Sequence, residues 1–507
     1  QERSAYDPVT LQTQTGLVGA GQGWQITTSN LLGLPTTTRR YTADGRLQAT
    51  ITCAYDGIGR LRRRTDELGQ VTAYAYDDWD RVIATTLPDG TGGTKSYAPD
   101  SNDTLITAVR VGNTSLGTQT FDGLGRKQKA VTGGQTSSFS YDGNRPVPAS
   151  ETRPDGVTAS FAWEPALGFA RTRISAGGMV QTYAYAPAGI LLTDATQAGG
   201  AVRDIAYYPS GLLKGETTRT APDAPARSTS YLHSLQGRLQ HWTDVGGTTQ
   251  RFAYDGLGRN TSITDPGLTA SLSYDAFGRP SSWTTTDPTT GRTLTTTLGY
   301  DAFGLETSRE ISGAASLSIS QSWRANGQIQ SRTTRQGGTT LRQESFGYDS
   351  RNRLTSYSCT GSQPPTDVSG RTISALALTY DALGNVLGCT TTLADGTDTA
   401  VFTYDTTDPT RLVRVTHTHP GYPARIDLAY DSAGRMILDA AGRRLGYDPL
   451  GRLITVDGGA TANYGYDATD RLILQGPTGG GQELHYRGSL LTNQIETAGS
   501  LRFPSLA

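Results

Sequence analysis

The sequence predicts an all-β fold: a spirally wound, antiparallel β-strip of hairpin repeats. Three observations predict it. A six-residue stretch, Tyr254-Asp255-Gly256-Leu257-Gly258-Arg259, recurs along the chain in close and partial copies. Gly makes up 62 of 507 residues, about 12% against a usual ~7%, and Tyr (25) far exceeds Phe (10). No run of ten or more residues carries the i, i+3, i+4 apolar stripe of a helix.

Each part of the repeated stretch has a physical role. Gln250-Arg251-Phe252-Ala253-Tyr254 alternates like a strand and ends at the Tyr. Asp255 can accept a hydrogen bond from its own backbone two residues on, which starts a turn. Gly258 can take positive φ without steric cost. Arg259 opens the next strand-like run, Asn260-Thr261-Ser262-Ile263-Thr264.

Close copies begin at Tyr55, Phe121, Tyr274, Tyr430 and Tyr447. Partial copies begin at Tyr76, Tyr141, Tyr300, Tyr348, Tyr380, Tyr404 and Tyr466, and weaker ones at Tyr185, Tyr208 and Trp323. From Tyr254 to Tyr274 is 20 residues, and from Tyr447 to Tyr466 is 19. That period holds two short strands and two turns. The second turn of each unit is visible at Pro88-Asp89-Gly90, Gly133-Gly134, Pro154-Asp155-Gly156, Gly246-Gly247, Gly337-Gly338 and Asp457-Gly458-Gly459. Asp-Gly and Gly-Gly pairs suit two-residue hairpin loops. About 25 units give on the order of 50 strands. Open sheets of that size coil because strand twist has a fixed hand, so successive turns of the strip are expected to lie against one another.

Many strands are hydrophilic on both faces, as in Thr284-Thr285-Thr286 and Thr390-Thr391-Thr392, which suits solvent or a wet cavity. Ala221–Ala226 and Ser362–Asp367 read as long hairpin loops. The first 40 residues repeat poorly, and Tyr41 with Asp44, Gly45 and Arg46 is the earliest fair copy. A formal charge of -1 argues against nucleic-acid or anionic-membrane partners. Three scattered cysteines make no disulfide framework, which fits folding in a reducing compartment. No apolar stretch reaches the ~18 residues of a membrane helix. Gln1-Glu2-Arg3-Ser4 has no initiator Met, so a piece of a longer protein is expected.

Each candidate for chemistry in the sequence also has a plainer role. The repeated Asp is explained by its turn, and the repeated Arg by a ladder in which the Arg of one unit packs on the Tyr of a neighbour. His417 and His419 would share one face of a strand and could hold a metal, but a surface pair is favoured. No GxSxG and no phosphate loop occur. Hence no catalytic, cofactor-binding or metal residues are expected.

The YDxxGR hairpin array, from about Tyr41 to about Arg487, closely resembles the Rhs/YD-repeat family. Within it, Leu116 to Arg126 with Gly133-Gly134, Thr86 to Gly90, His419-Pro420 to Met436 and His485 to Leu491 resemble the shell-forming B and C components of bacterial insecticidal Tc toxin complexes. The resemblance implies a single shell region over residues 1–507: a poorly repeating opening segment (1–40), YD repeats (41–487) and a segment (488–507) leading toward a further C-terminal part. It implies the non-catalytic wall of a hollow cocoon that shields a toxic effector before delivery. The implied partners are the enclosed toxin polypeptide, the remaining shell and a translocation or secretion component, with no nucleic acid and no membrane insertion. The implied route is synthesis in the bacterial cytoplasm followed by secretion.

Alternatives are the core of a secretion-system Rhs effector or a teneurin-like adhesion spacer. A carbohydrate-active enzyme ranks last, since the regular Asp positions all sit at turns. Family shells that process themselves carry paired DPxG motifs. Asp448-Pro449-Leu450-Gly451 matches one locally but lies inside an ordinary repeat, so the self-cleaving region is expected to be absent.

Overall fold

The computed structural model describes residues 2–17, 21–187, 189, 191–458, 461–477, 481–496 and 499–503. Among them 46 strands and one short 3-10 turn, Pro165–Leu167, are formed, and there is no α-helix. The strands lie in two hydrogen-bonded sheets of 37 and 9 strands. Successive strands pair antiparallel, as in Trp24–Ser29 with Pro35–Tyr41, and Thr249–Tyr254 with Asn260–Asp265. The all-β antiparallel strip read from the sequence is thus the observed fold.

The chain forms two compact units. One comprises Gln1–Gln119, Ser273–Thr284 and Thr293–Ile426; the other comprises Thr120–Leu272, Thr285–Arg292 and Asp427–Ala507. The first unit buries little apolar surface, chiefly at Ala49, Cys359, Leu393 and Ala400. The second has a cluster of Ala159, Ile174, Ala176, Tyr183, Ala195 and Ala468, against which Val157, Phe161 and Leu450 pack. Four of its six members are Ala. Elsewhere hydroxyl pairs replace apolar contact between strands: Thr243 with Thr249, and Thr284 with Thr295, each at 2.9 Å.

The two ends of the hairpins differ. YD corners lie at one end, and the turns that carry most of the Asp-Gly and Gly-Gly pairs at the other. Gly133-Gly134 and Gly337-Gly338 form the expected two-residue loops, with Thr132 paired to Gln135 and Gln336 to Thr339. All four glycines have φ between 54° and 85°, as a type I′ turn requires.

Pro88-Asp89-Gly90, Pro154-Asp155-Gly156 and Gly246-Gly247 do not form such loops. Leu87 N–H donates to Thr91 O and Gly90 N–H to Leu87 O, both at 2.9 Å. That is a three-residue loop with a left-handed third residue, and Arg153–Val157 and Asp244–Thr248 repeat it. Loop length is set by where the flanking strands stop pairing, which the Asp-Gly pair alone does not encode. The Asp457-Gly458-Gly459 turn lies partly outside the described residues.

Ala221–Ala226 and Ser362–Asp367 are hairpin loops as read, since the strands flanking each pair with one another. The corner geometry also starts earlier than the motif does. Asn30 N–H donates to Leu34 O and Gly33 N–H to Asn30 O, and Asn30 Oδ1 accepts from Leu32 and Leu34 N–H at 3.0 Å. Asn replaces Asp and Leu replaces Arg at that corner, so sequence identity is lost while geometry is kept.

Candidate functional site: the YD corner

The corner at Tyr254 shows how the repeat works. Asp255 N–H donates to Arg259 O at 3.0 Å, and Gly258 N–H to Asp255 O at 2.9 Å. Gly258 has φ +85°. The ladder register shifts between Ala253 and Tyr254, so this is the same three-residue loop with a bulge. Asp255 Oδ1 accepts the N–H groups of Leu257 and Arg259, and Oδ2 accepts Arg259 Nε at 2.7 Å. The Asp therefore fixes both the loop and the Arg. The N–H of Arg259, with its guanidinium, holds the Asp255 carboxyl below the usual carboxylate range.

Successive corners are tied through Tyr and Arg. The Tyr254 hydroxyl donates to Leu239 O at 2.7 Å, the residue immediately after the Arg of the preceding corner. Tyr76 to Leu61 O, Tyr97 to Val82 O and Tyr466 to Leu453 O repeat the contact at 2.8–2.9 Å. The preceding Arg lies over the same ring: Arg60 over Tyr76 at 5.1 Å, Arg81 over Tyr97 at 4.5 Å, Arg126 over Tyr141 at 4.4 Å, and Arg452 over Tyr466 at 5.1 Å. Arg60 Nη1 also reaches Asp77 O at 3.1 Å, and Arg452 Nη1 reaches Asp467 O at 3.0 Å. The Arg–Tyr ladder read from the sequence is present. The Tyr hydroxyl bond and the Arg reach to the next backbone are additions that only strand register reveals.

Where the corner Gly is missing, Asp80, Asn352 and Asp470 take its left-handed place with φ 62–64°. Asp and Asn tolerate that region better than other L-residues. Asp80 also accepts from Arg60 Nη1 at 2.9 Å.

Asp448-Pro449-Leu450-Gly451 has the same geometry as other corners. Asp448 Oδ1 accepts from Leu450 and Arg452 N–H at 2.9 and 3.0 Å, and Oδ2 from Arg452 Nε at 2.7 Å. Every carboxylate oxygen there is committed to the turn, as in the repeat reading.

His417 and His419 do not lie on a strand. The strand ends at Thr416, and both residues sit in a hairpin loop. His417 Nδ1 is 2.7 Å from Asp398 Oδ2, while Asp398 Oδ1 accepts the N–H groups of Thr418 and His419. His417 stacks on Tyr422 at 5.0 Å, and the Tyr422 hydroxyl donates to Asp367 at 2.6 Å. Burial, then that bond to a carboxylate, pushes Tyr422 up to about 12. The pair thus braces two loops, each ring with its own partner. Among the described residues no group of three or more His, Cys, Asp or Glu is arranged to hold a metal. The three cysteines are unpaired.

The second unit contains a clamp that the sequence did not announce. Arg502 contacts Asp265 through Nη1 and Nη2 at 2.7 and 2.6 Å, and Asp244 through Nε. Both Asp side chains are fully buried. Burial works to raise Asp265, but the Arg502 guanidinium overrides it and leaves the carboxyl below its usual range.

Corner, ladder and opposed turns define the class: a YD-repeat β-strip. Residues 55–91 and 233–270 match the RHS Repeat family, and residues 288–487 match the Teneurin YD-shell family. The chain thus carries RHS-repeat and YD-shell sequence over these stretches.

Its fold is that of solved Tc toxin structures. The TcdB2-TccC3-TEV crystal structure matches with TM-score 0.66 and 14% identity over 99% of this chain and 31% of that one. The Photorhabdus luminescens Tc holotoxin pore matches with TM-score 0.64 and 14% identity over 98% and 31%. TcdB2-TccC3 without its hypervariable C-terminal region gives 0.63 and 13% over 98% and 31%. This chain thus spans about a third of the length of the chains it matches. No curated protein sequence matches it. Among the described residues no helix is long and apolar enough to cross a membrane.

Proposed function

We propose that this chain is wall: part of a Tc-type cocoon that encloses a toxic effector polypeptide and separates it from its surroundings until delivery. The observation that carries the reading is the corner itself. Its ionisable groups are committed to holding one hairpin to the next, and it recurs along a strip with the fold of TcdB2-TccC3 structures. Hydroxyl-lined strands support it, since Thr and Ser pairs make a wet surface with little affinity for an unfolded apolar cargo. Within this reading, residues 1–507 act as one shell region, no residue is catalytic, and the partners are the effector, the rest of the shell and a delivery component. The assembled toxin acts outside the producing cell. The Teneurin YD-shell match favours, as a second reading, a rigid spacer in cell adhesion.

The test is protease protection in the assembled protein. The enclosed polypeptide should resist digestion until the wall is unfolded by denaturant. Digestion at the same rate before and after unfolding would overturn the wall reading. So would enzymatic turnover by the purified chain that a single substitution abolishes.

A further inference from the structure

In the second unit the strands Gln482–Arg487, Leu490–Glu496 and Gly499–Arg502 pair with one another in order. They form a strap bonded through polar side chains to the hairpins that precede them by more than 200 positions. Arg227 Nε donates to Glu483 Oε2 at 3.1 Å, Arg487 Nη1 to Gln250 Oε1 at 3.0 Å, and Asn493 Nδ2 to Asp244 Oδ2 at 3.3 Å. Arg502 closes the far end on Asp244 and Asp265. Among the described residues the ladder to the preceding strand, Leu472–Pro477, engages only Gln482 and Glu483. His485, Tyr486 and Arg487 are thus held down by side chains, not by that ladder.

His485 is buried in this seam, at 6% exposure. With Glu216, Arg227, Thr229 and Arg471 it lines a cavity of about 20 Å³, room for one water molecule. Its Nε2 is 3.4 Å from Glu483 Oε2, the oxygen that Arg227 already holds. Glu216 is likewise held, by Arg203 at 3.0 Å and Arg471 at 3.6 Å. The packed strands therefore bring three guanidiniums and two carboxylates around the imidazole. The paired strand places uncharged Asn493 opposite it, and Tyr486, raised by burial, is neutral. Beyond them Arg487 lies over Trp242 and Phe252, and Arg502 answers Asp244 and Asp265. A neutral imidazole fits that balance. An imidazolium adds a cation where cations already outnumber acids and solvation is poor. Burial, opposed by Glu483 and aided by Arg227, accordingly holds His485 below the usual histidine range.

We propose that the strap opens with mild acid and that His485 is its release: at neutral pH Gln482–Arg487 is fastened beside Glu216 and Arg227, and when the imidazole takes up a proton that strand lifts, while Arg502 keeps the far end on Asp244 and Asp265. A titratable ring with a cavity at its face, in a seam made of charges, on a strand that its ladder grips at one end only, has the parts of a latch. A free imidazole takes its proton near 6.5, and the fastened ring only at lower pH. Fastening is therefore complete above 6.5 and weakens as pH falls below it. The Asp265 carboxyl, held below its usual range, keeps its charge in mild acid, so the Arg502 end stays closed. The strap opens in this way whether or not the chain is wall; in a wall it is a place where acid loosens the strip.

Thr229 lines the cavity at 8% exposure, so Thr229→Cys in the full chain reports the lift. Its labelling by N-ethylmaleimide is followed by peptide mass spectrometry, each rate taken relative to the same chain unfolded in urea at the same pH. One proton bound near 6.5 in the lifted form alone gives a gain in relative rate of about 10-fold from about pH 7.5 to about pH 5.5. With His485→Gln the gain should stay below about twofold. Native Cys359, 3% exposed in the first unit, should not change. In the unsubstituted chain, hydrogen exchange at C2 of the His485 ring should give a midpoint below 6.5. A gain below about threefold, an equal gain with His485→Gln, an equal gain at Cys359, or a ring midpoint at or above 6.5 would overturn the latch. Protease protection of the enclosed effector at neutral pH is read separately, so latch and wall can fail independently.

Discussion

Asp448→Ala should unlock one corner and leave the rest of the strip in place. Asp448 is 6% exposed and holds three bonds, to two N–H groups and to Arg452 Nε. Removing one partner of a buried ion pair costs about 3–5 kcal/mol. Arg452 keeps Gln197, Asp467 O and Asp470 as acceptors, at 2.9, 3.0 and 3.2 Å. The lower end therefore applies, about 3 kcal/mol. Asp448→Asn retains an oxygen for both N–H groups, as Asn30 does at its own corner, but loses the charge and the acceptor of Arg452 Nε. Its cost should be about 1.5 kcal/mol.

Along the strip each unit contacts its neighbours, and this corner also meets Arg153, Gly177 and Gln197 of the same compact unit, so the loss should stay within that unit. At about 1.4 kcal/mol per decade, amide exchange at Leu450–Arg452 should rise about 100-fold in Asp448→Ala and about 10-fold in Asp448→Asn. Exchange in Val71–Tyr76, which belongs to the other unit, should not change. Hydrogen-exchange mass spectrometry reads all three. Equal effects of Ala and Asn, or a rise below about threefold in Asp448→Ala, would refute the view that this carboxylate builds the corner.

Gly258→Ala should cost about 1–2 kcal/mol from the left-handed backbone alone, and more because Arg238 occupies the space a Cβ needs. Urea denaturation reads it. Asp80→Gly should change stability by less than about 0.5 kcal/mol by the same assay, since backbone relief offsets an exposed pair with Arg60. Tyr254→Phe removes the bond to Leu239 O and should cost about 1 kcal/mol.

Arg502→Ala should cost about 3–5 kcal/mol at neutral pH by stranding two buried carboxylates. The Asp265 carboxyl is depressed in the folded protein, so its contribution is present above its unfolded value, near 4, and is lost as pH falls through the folded value. Without Arg502, burial raises that carboxyl instead. The gap between variant and parent in urea midpoint should therefore narrow from pH 7 to pH 4.5. A gap that is constant or widens would exclude this account.

What the sequence revealed and what it hid separate along one physical line. Interactions closed within five residues were legible. Asp255 and Gly258 announce the loop because one offers a local acceptor and the other a left-handed backbone, and their recurrence exposes the strip. The Arg–Tyr ladder was legible because the period fixes which Tyr follows which Arg. Features that depend on register were not. The acceptor of the Tyr254 hydroxyl is set by pairing across 15 residues, and the length of the Pro88-Asp89-Gly90 loop by where two strands part.

Substitution that keeps geometry also hides it. Asn30 builds a corner without Asp or Arg, and Asp470 does so without Gly. Least visible were contacts between distant hairpins. The spacing of His417 and His419 would put both on one face only if the stretch were a strand, but Asp398 and Tyr422 hold His417 in a loop. Nothing local links Arg502 to Asp244 and Asp265, more than 200 positions earlier. The repeat therefore encodes the strip, whereas the seating of one hairpin end on another is written in scattered positions: a Gly at 23 or 177, an Asp at 89 or 155. Those positions, not the YDxxGR motif, decide which corners are covered: Phe303 lies against Gly23 and Pro449 against Gly177, whereas Ile58 and Trp79 are exposed at their corners.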